Sequence, residues 1–147
     1  MRCALGRSGT AALKREGDGA TPLAVMHVLH GYYRSRRVRL QTRLDMAPIR
    51  AGLGWCDSPA DRNYNRPVRL PYGKSHEGML RKDHLYDVVI VLDWNIRPRV
   101  RNRGSAIFLH LARPGYKPTE GCVAVSAKDM AWLLARVGTG SVARVMG

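Results

Sequence analysis

The stretch FLHLARPGYKPTEGCVAV, residues 108–125, decides how this chain is read. An apolar run closes on His110, a loop containing Pro114, Gly115 and Pro118 follows, and Gly121-Cys122 opens a second run of small and β-branched residues. Short apolar runs bounded by Pro and Gly predict two buried strands joined by a loop. His110 then ends one strand and Cys122 starts the next, which brings an imidazole and a thiol to the same sheet edge. A nucleophilic cysteine must ionise, and an imidazole within reach can take its proton. Gly121 permits a tight turn and close passage of a substrate, and the backbone N–H groups of Gly121 and Cys122 can then face a developing oxyanion. The competing reading makes Cys122 a small buried hydrophobe and His110 a satisfied core histidine.

Outward from this stretch the chain reads as mainly strand. LYDVVIVLDW (85–94) and SAIFLHLA (105–112) are the strongest buried strands, and LAVMHVLH (23–30) follows a turn-like EGDGATP. In VRLQTRLDM (38–46) the apolar residues share one parity and the polar ones the other, which predicts a half-buried strand. Residues 47–83 carry Pro48, Pro59, Pro67 and Pro71 with few apolar runs, and are expected to wander over the surface with one strand near Val68–Leu70. After CVAV, Ser126 and Asp129 form a capping-box-like start to the one expected helix. Met130, Leu133, Leu134 and Val137 give that helix its apolar stripe and Gly138 its stop. SVARVM (141–146) is the last predicted strand.

The chain has 147 residues, and 25 basic against 11 acidic side chains give a net charge of +14. That length suits one domain, and the charge points to an anionic partner such as a nucleic acid, a membrane surface or a cell-wall polymer. Cys3, Cys56 and Cys122 form no C-x-x-C pair, so neither a zinc ribbon nor a dense disulfide framework is indicated. No apolar run approaches the roughly 18 residues needed to cross a bilayer, and no transmembrane segment is expected. LAVMHVLHGYY (23–33) imitates the core of a signal peptide, but its histidines and the missing cleavage pattern speak against one. The abrupt start MRCALGRSG leads us to expect a segment upstream of this chain.

Several other features have plain readings beside the chemical ones. His27 and His30 form H-x-x-H, which on a helix could hold a metal, but on a strand the two rings face opposite sides and no metal is expected. YYRSRRVR (32–39) mixes aromatic residues with arginine as a nucleic-acid surface does, although a solvated basic face explains it as well. Asp57 and Asp61 near Trp55 could do acid–base work, but in so Pro-rich a stretch they are more naturally turn formers.

The string IFLH…PTEGCVAV resembles the L,D-transpeptidase catalytic domain (the YkuD family), whose signature is a histidine, a spacer and Ser/Thr-x-Gly-Cys. Here these are His110 and Thr119-Glu120-Gly121-Cys122. CALGRSG (3–9), KREGDGATP (14–22), DHLYDVVIVLDWN (83–95) and GSAIFLHLARPGY (104–116) extend the likeness over most of the chain. The resemblance implies a mainly β, sandwich-like or barrel-like catalytic domain spanning 1–147, with one or two short helices and no cofactor. It also implies Cys122 as nucleophile and His110 as base, with Thr119, Arg113 and Tyr116 contacting the substrate. The implied substrate is the peptide stem of peptidoglycan, which the enzyme cross-links or, with water as acceptor, trims. No nucleic-acid partner is then expected, and the implied location is the periplasm or cell envelope.

Three departures from the family's commonest pattern stand out. Glu120 replaces the usual second histidine, the His-to-Cys spacer is shorter, and Ala124 stands where Arg or Asn is often found. An inward carboxylate beside the thiol would oppose its ionisation, so Glu120 is expected to face outward or to pair with Arg113 or Lys117. These departures keep a second reading open, a catalytically impaired basic module that docks on cell-wall polymer or nucleic acid.

Overall fold

The computed structural model describes residues 1–147. The chain begins with short strands β1 (Cys3–Ala4), β2 (Thr10–Ala11) and β3 (Thr21–Pro22), then the long β4 (Val25–Tyr33) and β5 (Met46–Pro48). A second group, β6 (Leu53–Cys56), β7 (Arg66–Arg69) and β8 (His76–Gly78), precedes β9 (Val88–Leu92) and β10 (Phe108–Leu111). The chain closes with β11 (Val123–Val125), helix α1 (Ala127–Leu134) and β12 (Val142–Arg144). The main sheet runs β1-β11-β10-β9-β4-β12, with β5 paired to β4. A small antiparallel sheet, β7-β6-β8, and the parallel pair β2-β3 complete the architecture. The mainly β, sandwich-like fold expected from sequence is the one observed.

Strand alternation divides the core in two. Val88, Ile90 and Leu92 of β9 join Ile107 and Val125 on one face of the main sheet, and Met130 and Leu134 of α1 cover them. Val89, Val91 and Phe108 point the other way, toward Ile49, Trp55, Met79 and Tyr86. In β4 a register shift between Val28 and His30 reverses the parity. Met26 and Val28 therefore belong to the helix side while Tyr32 packs on the other, as an extra residue in one strand requires. Segment 23–33, with its signal-like look, is this central strand.

Two strand expectations need correction. Residues 38–45 form no strand, although their exposure alternates as predicted and Leu44 is buried. Period two places Val38, Leu40 and Leu44 against the helix-side core, yet pairing with β4 begins only at Met46. Apolar parity reports which side a residue faces and says nothing of whether a neighbouring strand is present to bond. Residues 47–83 are the larger miss. They are no surface excursion: β6, β7 and β8 lie here, and Trp55, Cys56, Tyr64 and Met79 are buried. The strand predicted near Val68–Leu70 corresponds to β7, one edge of that small sheet.

Helix α1 starts as predicted, with Ser126 Oγ accepting from the Asp129 N–H at 3.0 Å. It stops earlier than expected, at Leu134. The N–H groups of Arg136 and Val137 both turn back to the Leu133 carbonyl, so Val137 packs from the tightened end and not from the helix proper.

Candidate active site

β10 and β11 are parallel neighbours, with Leu109 opposite Val123 and His110 opposite Ala124. One step back along β11's path, Cys122 lies beside Phe108. Period two then puts Phe108, His110, Cys122 and Ala124 on one face. The predicted juxtaposition is therefore present, but on the inner face of two central strands and not at a free sheet edge. Cys122 and His110 both line a cavity of about 420 Å³ between this face and the small sheet.

The thiol rests in its neutral form. Its Sγ accepts from the Phe108 N–H at 3.4 Å and donates to the Ala106 carbonyl at 3.1 Å. Burial, aided by the negative charge of Glu77, pushes the Cys122 pKa from 9.0 up to about 12. His110 is 6% exposed, and burial holds its pKa below the ordinary histidine value, so the ring is neutral. Its Nδ1 lies 2.9 Å from the Leu111 carbonyl oxygen, which can only accept; Nδ1 therefore carries the proton and Nε2 keeps its lone pair. The Tyr86 ring meets the imidazole edge-on at 5.3 Å. Tyr86 in turn donates its hydroxyl to Glu77 Oε1 at 2.6 Å and lies beneath the Arg81 guanidinium.

The turn before the thiol is shaped by contacts from the start of the chain. Gly121 has φ +137°, and a Cβ there would stand 2.9 Å from the Ala20 carbonyl oxygen, so both the conformation and the space call for glycine. Thr119 Oγ1 donates to the Cys122 carbonyl at 2.6 Å and accepts the Gly121 N–H at 3.1 Å. Leu5 and Arg7 bracket the same threonine through backbone bonds of 2.9 and 2.8 Å. Of the two N–H groups expected to face an oxyanion, that of Gly121 is thus already engaged, whereas that of Cys122 has no backbone acceptor.

Residues 1–145 match the family model of the L,D-transpeptidase catalytic domain, YkuD. The chain belongs to the YkuD family. Neither the curated proteins nor the solved structures contain a match to it. The family acts on peptidoglycan.

Within this YkuD domain the other sequence-predicted residues fall in different places. Arg113 and Thr119 line the cavity; Tyr116 does not, and its ring lies 4.6 Å beneath the Arg2 guanidinium. Glu120 faces solvent as expected, but its partner is Arg7 at 2.8 Å and neither Arg113 nor Lys117. Ala124 is buried on the face it shares with His110. His27 binds Asp93 at 3.0 Å and His30 packs edge-on against Tyr32, so the two rings are engaged separately, although the register shift between them cancels the period-two reason expected for their division. Asp61 accepts from the Asn63 N–H and the Tyr72 hydroxyl, the turn-forming role.

Sequence reasoning missed Glu77, Arg81 and Tyr86 and set Asp57 aside as a turn former, yet all four line the cavity. The available signal was LGWC (53–56), where Trp and Cys sit between turn residues as a short buried strand would have them. Recognising β6 there would have brought β8, and Glu77 with it, under the main sheet.

Proposed function

We propose that this YkuD domain is a cysteine-dependent L,D-transpeptidase acting through an acyl-enzyme on Cys122, with His110 as base. The observation that carries the proposal is the shared inner face of β10 and β11, where a neutral imidazole with a free Nε2 and a thiol line one cavity. As a stem peptide fills the cavity, Nε2 takes the Sγ proton and Sγ attacks the carbonyl carbon next to the terminal D-residue. The Cys122 N–H is the free backbone donor for the oxyanion that forms. Collapse breaks the C–N bond, the departing amine takes the proton from His110, and a thioester remains. The amine of a second stem attacks that thioester and gives up a proton through His110, forming the cross-link and restoring the thiol. Water in place of the amine makes the same apparatus a carboxypeptidase. We propose the periplasm or cell envelope, where that substrate lies, as its location.

A thiol with a pKa near 12 cannot act as a standing thiolate, so proton transfer must accompany attack. The same observation favours a second reading, a basic module that docks on cell-wall polymer or nucleic acid without catalysis. Intact mass after incubation with a carbapenem separates the two. A live nucleophile gains one covalent adduct that maps to Cys122, and a docking module gains none.

A further inference from the structure

The loop between β9 and β10 concentrates positive charge that the fold leaves unanswered. Residues 97–103 read RPRVRNR, with arginine at 97, 99, 101 and 103. None of the four guanidinium groups makes a hydrogen bond or an ion pair, and Arg97, Arg101 and Arg103 are exposed. The other arginine-rich stretch differs, since Arg34 donates to the Arg81 carbonyl and Arg37 to Asp87 at 3.0 Å. Two acids border the loop, Asp93 by sequence and Glu16 through its N–H bond to the Asn102 carbonyl at 3.0 Å. Both are engaged elsewhere: Asp93 accepts the His27 N–H and meets its ring, and Glu16 accepts the Tyr64 hydroxyl.

The loop is nonetheless held in one shape. Asn95 Nδ2 donates to the carbonyls of Val100 and Gly104, both at 2.9 Å, and Asn95 Oδ1 accepts the Val100 N–H at 2.9 Å. Trp94 Nε1 donates to the Arg103 carbonyl at 2.8 Å, which draws the end of the loop back to its start. Arg97 and Arg103 line a second cavity of about 150 Å³, walled otherwise by Trp94, Asn95, Pro98 and Val100. No acid lines it. With the indole N–H and the Asn95 amide spent on the backbone, the guanidinium groups are the donors left for an occupant. A scaffold fixed in advance lowers the cost of binding one.

That occupant must be an anion. Two guanidinium groups carry two positive charges, and each offers a planar fork to a pair of oxygens. A carboxylate brings one charge and two oxygens, which satisfy one fork. A phosphoryl group brings a charge of about −1.5 to −2 at neutral pH and three oxygens, enough to engage both. We infer that Arg97 and Arg103 form a binding site for a phosphate monoester in the cavity beside Trp94. The bond from Glu16 to Asn102 joins this loop to the segment whose Lys14, Glu16 and Gly17 line the large cavity. The site uses no thiol and stands apart from the proposed function.

The test is a titration of the full chain with inorganic phosphate at constant ionic strength, followed on backbone and indole N–H resonances. Signals from residues 94–104, the Trp94 indole among them, should shift and saturate. Acetate should bind about tenfold more weakly, because one charge-assisted fork goes unused. Arg97→Gln and Arg103→Gln should each weaken phosphate binding by about tenfold, and neither side chain makes a bond that the fold would miss. Arg39→Gln with Arg43→Gln removes the same charge as the two loop changes together, and should leave the affinity nearly unchanged. Equal losses in the two double variants, shifts scattered over the basic surface, or acetate held as tightly as phosphate each overturns the inference. Phosphatidylcholine vesicles with and without phosphatidate identify the source of the phosphoryl group. Binding that needs phosphatidate and is lost with Arg97 and Arg103 marks a lipid headgroup; phosphate binding without vesicle binding marks a soluble phosphate ester, and both keep the site. Saturable phosphate binding without a carbapenem adduct removes the proposed enzyme and leaves this site standing.

Discussion

The two faces of β9 and β10 come from one alternating sequence and end in opposite states. On the helix side, Val88, Ile90, Leu92, Ile107 and the partly buried Leu109 and Leu111 meet Met130 and Leu134 in one continuous apolar cluster. On the other side, Val89, Val91 and Phe108 meet Trp55 and Tyr86, but the cover is incomplete. Where the small sheet fails to close, His110 and Cys122 face Glu77 and Asp57 across a cavity. A helix laid along a sheet can match its apolar stripe to the whole surface. A three-stranded sheet with strands of three and four residues cannot, and the unfilled margin is where polar chemistry fits.

The strongest way to break this contrast is at the thiol. Cys122→Ser should abolish the carbapenem adduct, since the proposed acyl-enzyme forms on its sulfur, while Cys3→Ser at the exposed β1 should leave it intact. Equal loss in both would make the thiols structural. Next in size, His110→Ala should slow adduct formation by about 10²–10⁴-fold, as expected for a lost general base, with a much smaller change in melting temperature. A collapse of the fold with no separable kinetic effect would return His110 to the core.

Stability should respond on both faces, but chemistry on only one. Phe108→Ala should cost about 3–5 kcal/mol and Leu134→Ala about 2–5 kcal/mol in denaturant unfolding, both side chains being almost wholly buried. Only Phe108→Ala should also alter alkylation of Cys122, because the thiol packs against the cluster that the Phe108 ring fills. If Leu134→Ala changes that rate equally, the faces are coupled and the division fails.

The acidity of the thiol sharpens the comparison. Iodoacetamide alkylation of Cys122 in the free protein should keep rising with pH well past 9.0, toward a midpoint near 12. Because the folded pKa is the raised one, the neutral thiol's contribution to stability is complete below pH 9.0 and fades as pH climbs toward 12. A rate that levels off at an ordinary thiol pKa would show the cavity face to be wet. Glu120→Gln has the smallest expected effect. With Glu120 solvent-facing and paired to Arg7, the alkylation profile should stay where it is. A downward shift of about one pH unit, worth about 1.4 kcal/mol, would put that carboxylate beside the thiol after all.

The legible parts of this molecule were those encoded locally. Runs such as VVIVL and FLHL announce buried strands by composition, and Ser126 announces the helix through its side-chain bonds with Asp129. The His110 and Cys122 pair was legible because one loop joins their strands. Asp57, Glu77 and Tyr86 were not, since LGWC (53–56) hints at β6 as a buried strand but does not say that β6 and β8 fold beneath Phe108. Their strands are too short for period two to declare itself, and prolines at 59, 67 and 71 mimic a loop. Residues 38–45 teach the converse, a correct pattern of facing without the ladder it usually accompanies.

The turn that aims Cys122 has a consequence for timing. Gly121 fits only against Ala20, Thr119 is bracketed by Leu5 and Arg7, and the Arg7–Glu120 pair spans 113 positions. A ribosome delivers the first of these segments long before the second. No nascent chain short of the Gly121-Cys122 turn can own the site, and afterwards the turn must still find a partner made 113 positions earlier. The thiol therefore gains its aim only after both segments have been made, and a growing chain that stops short of the turn holds no aimed thiol.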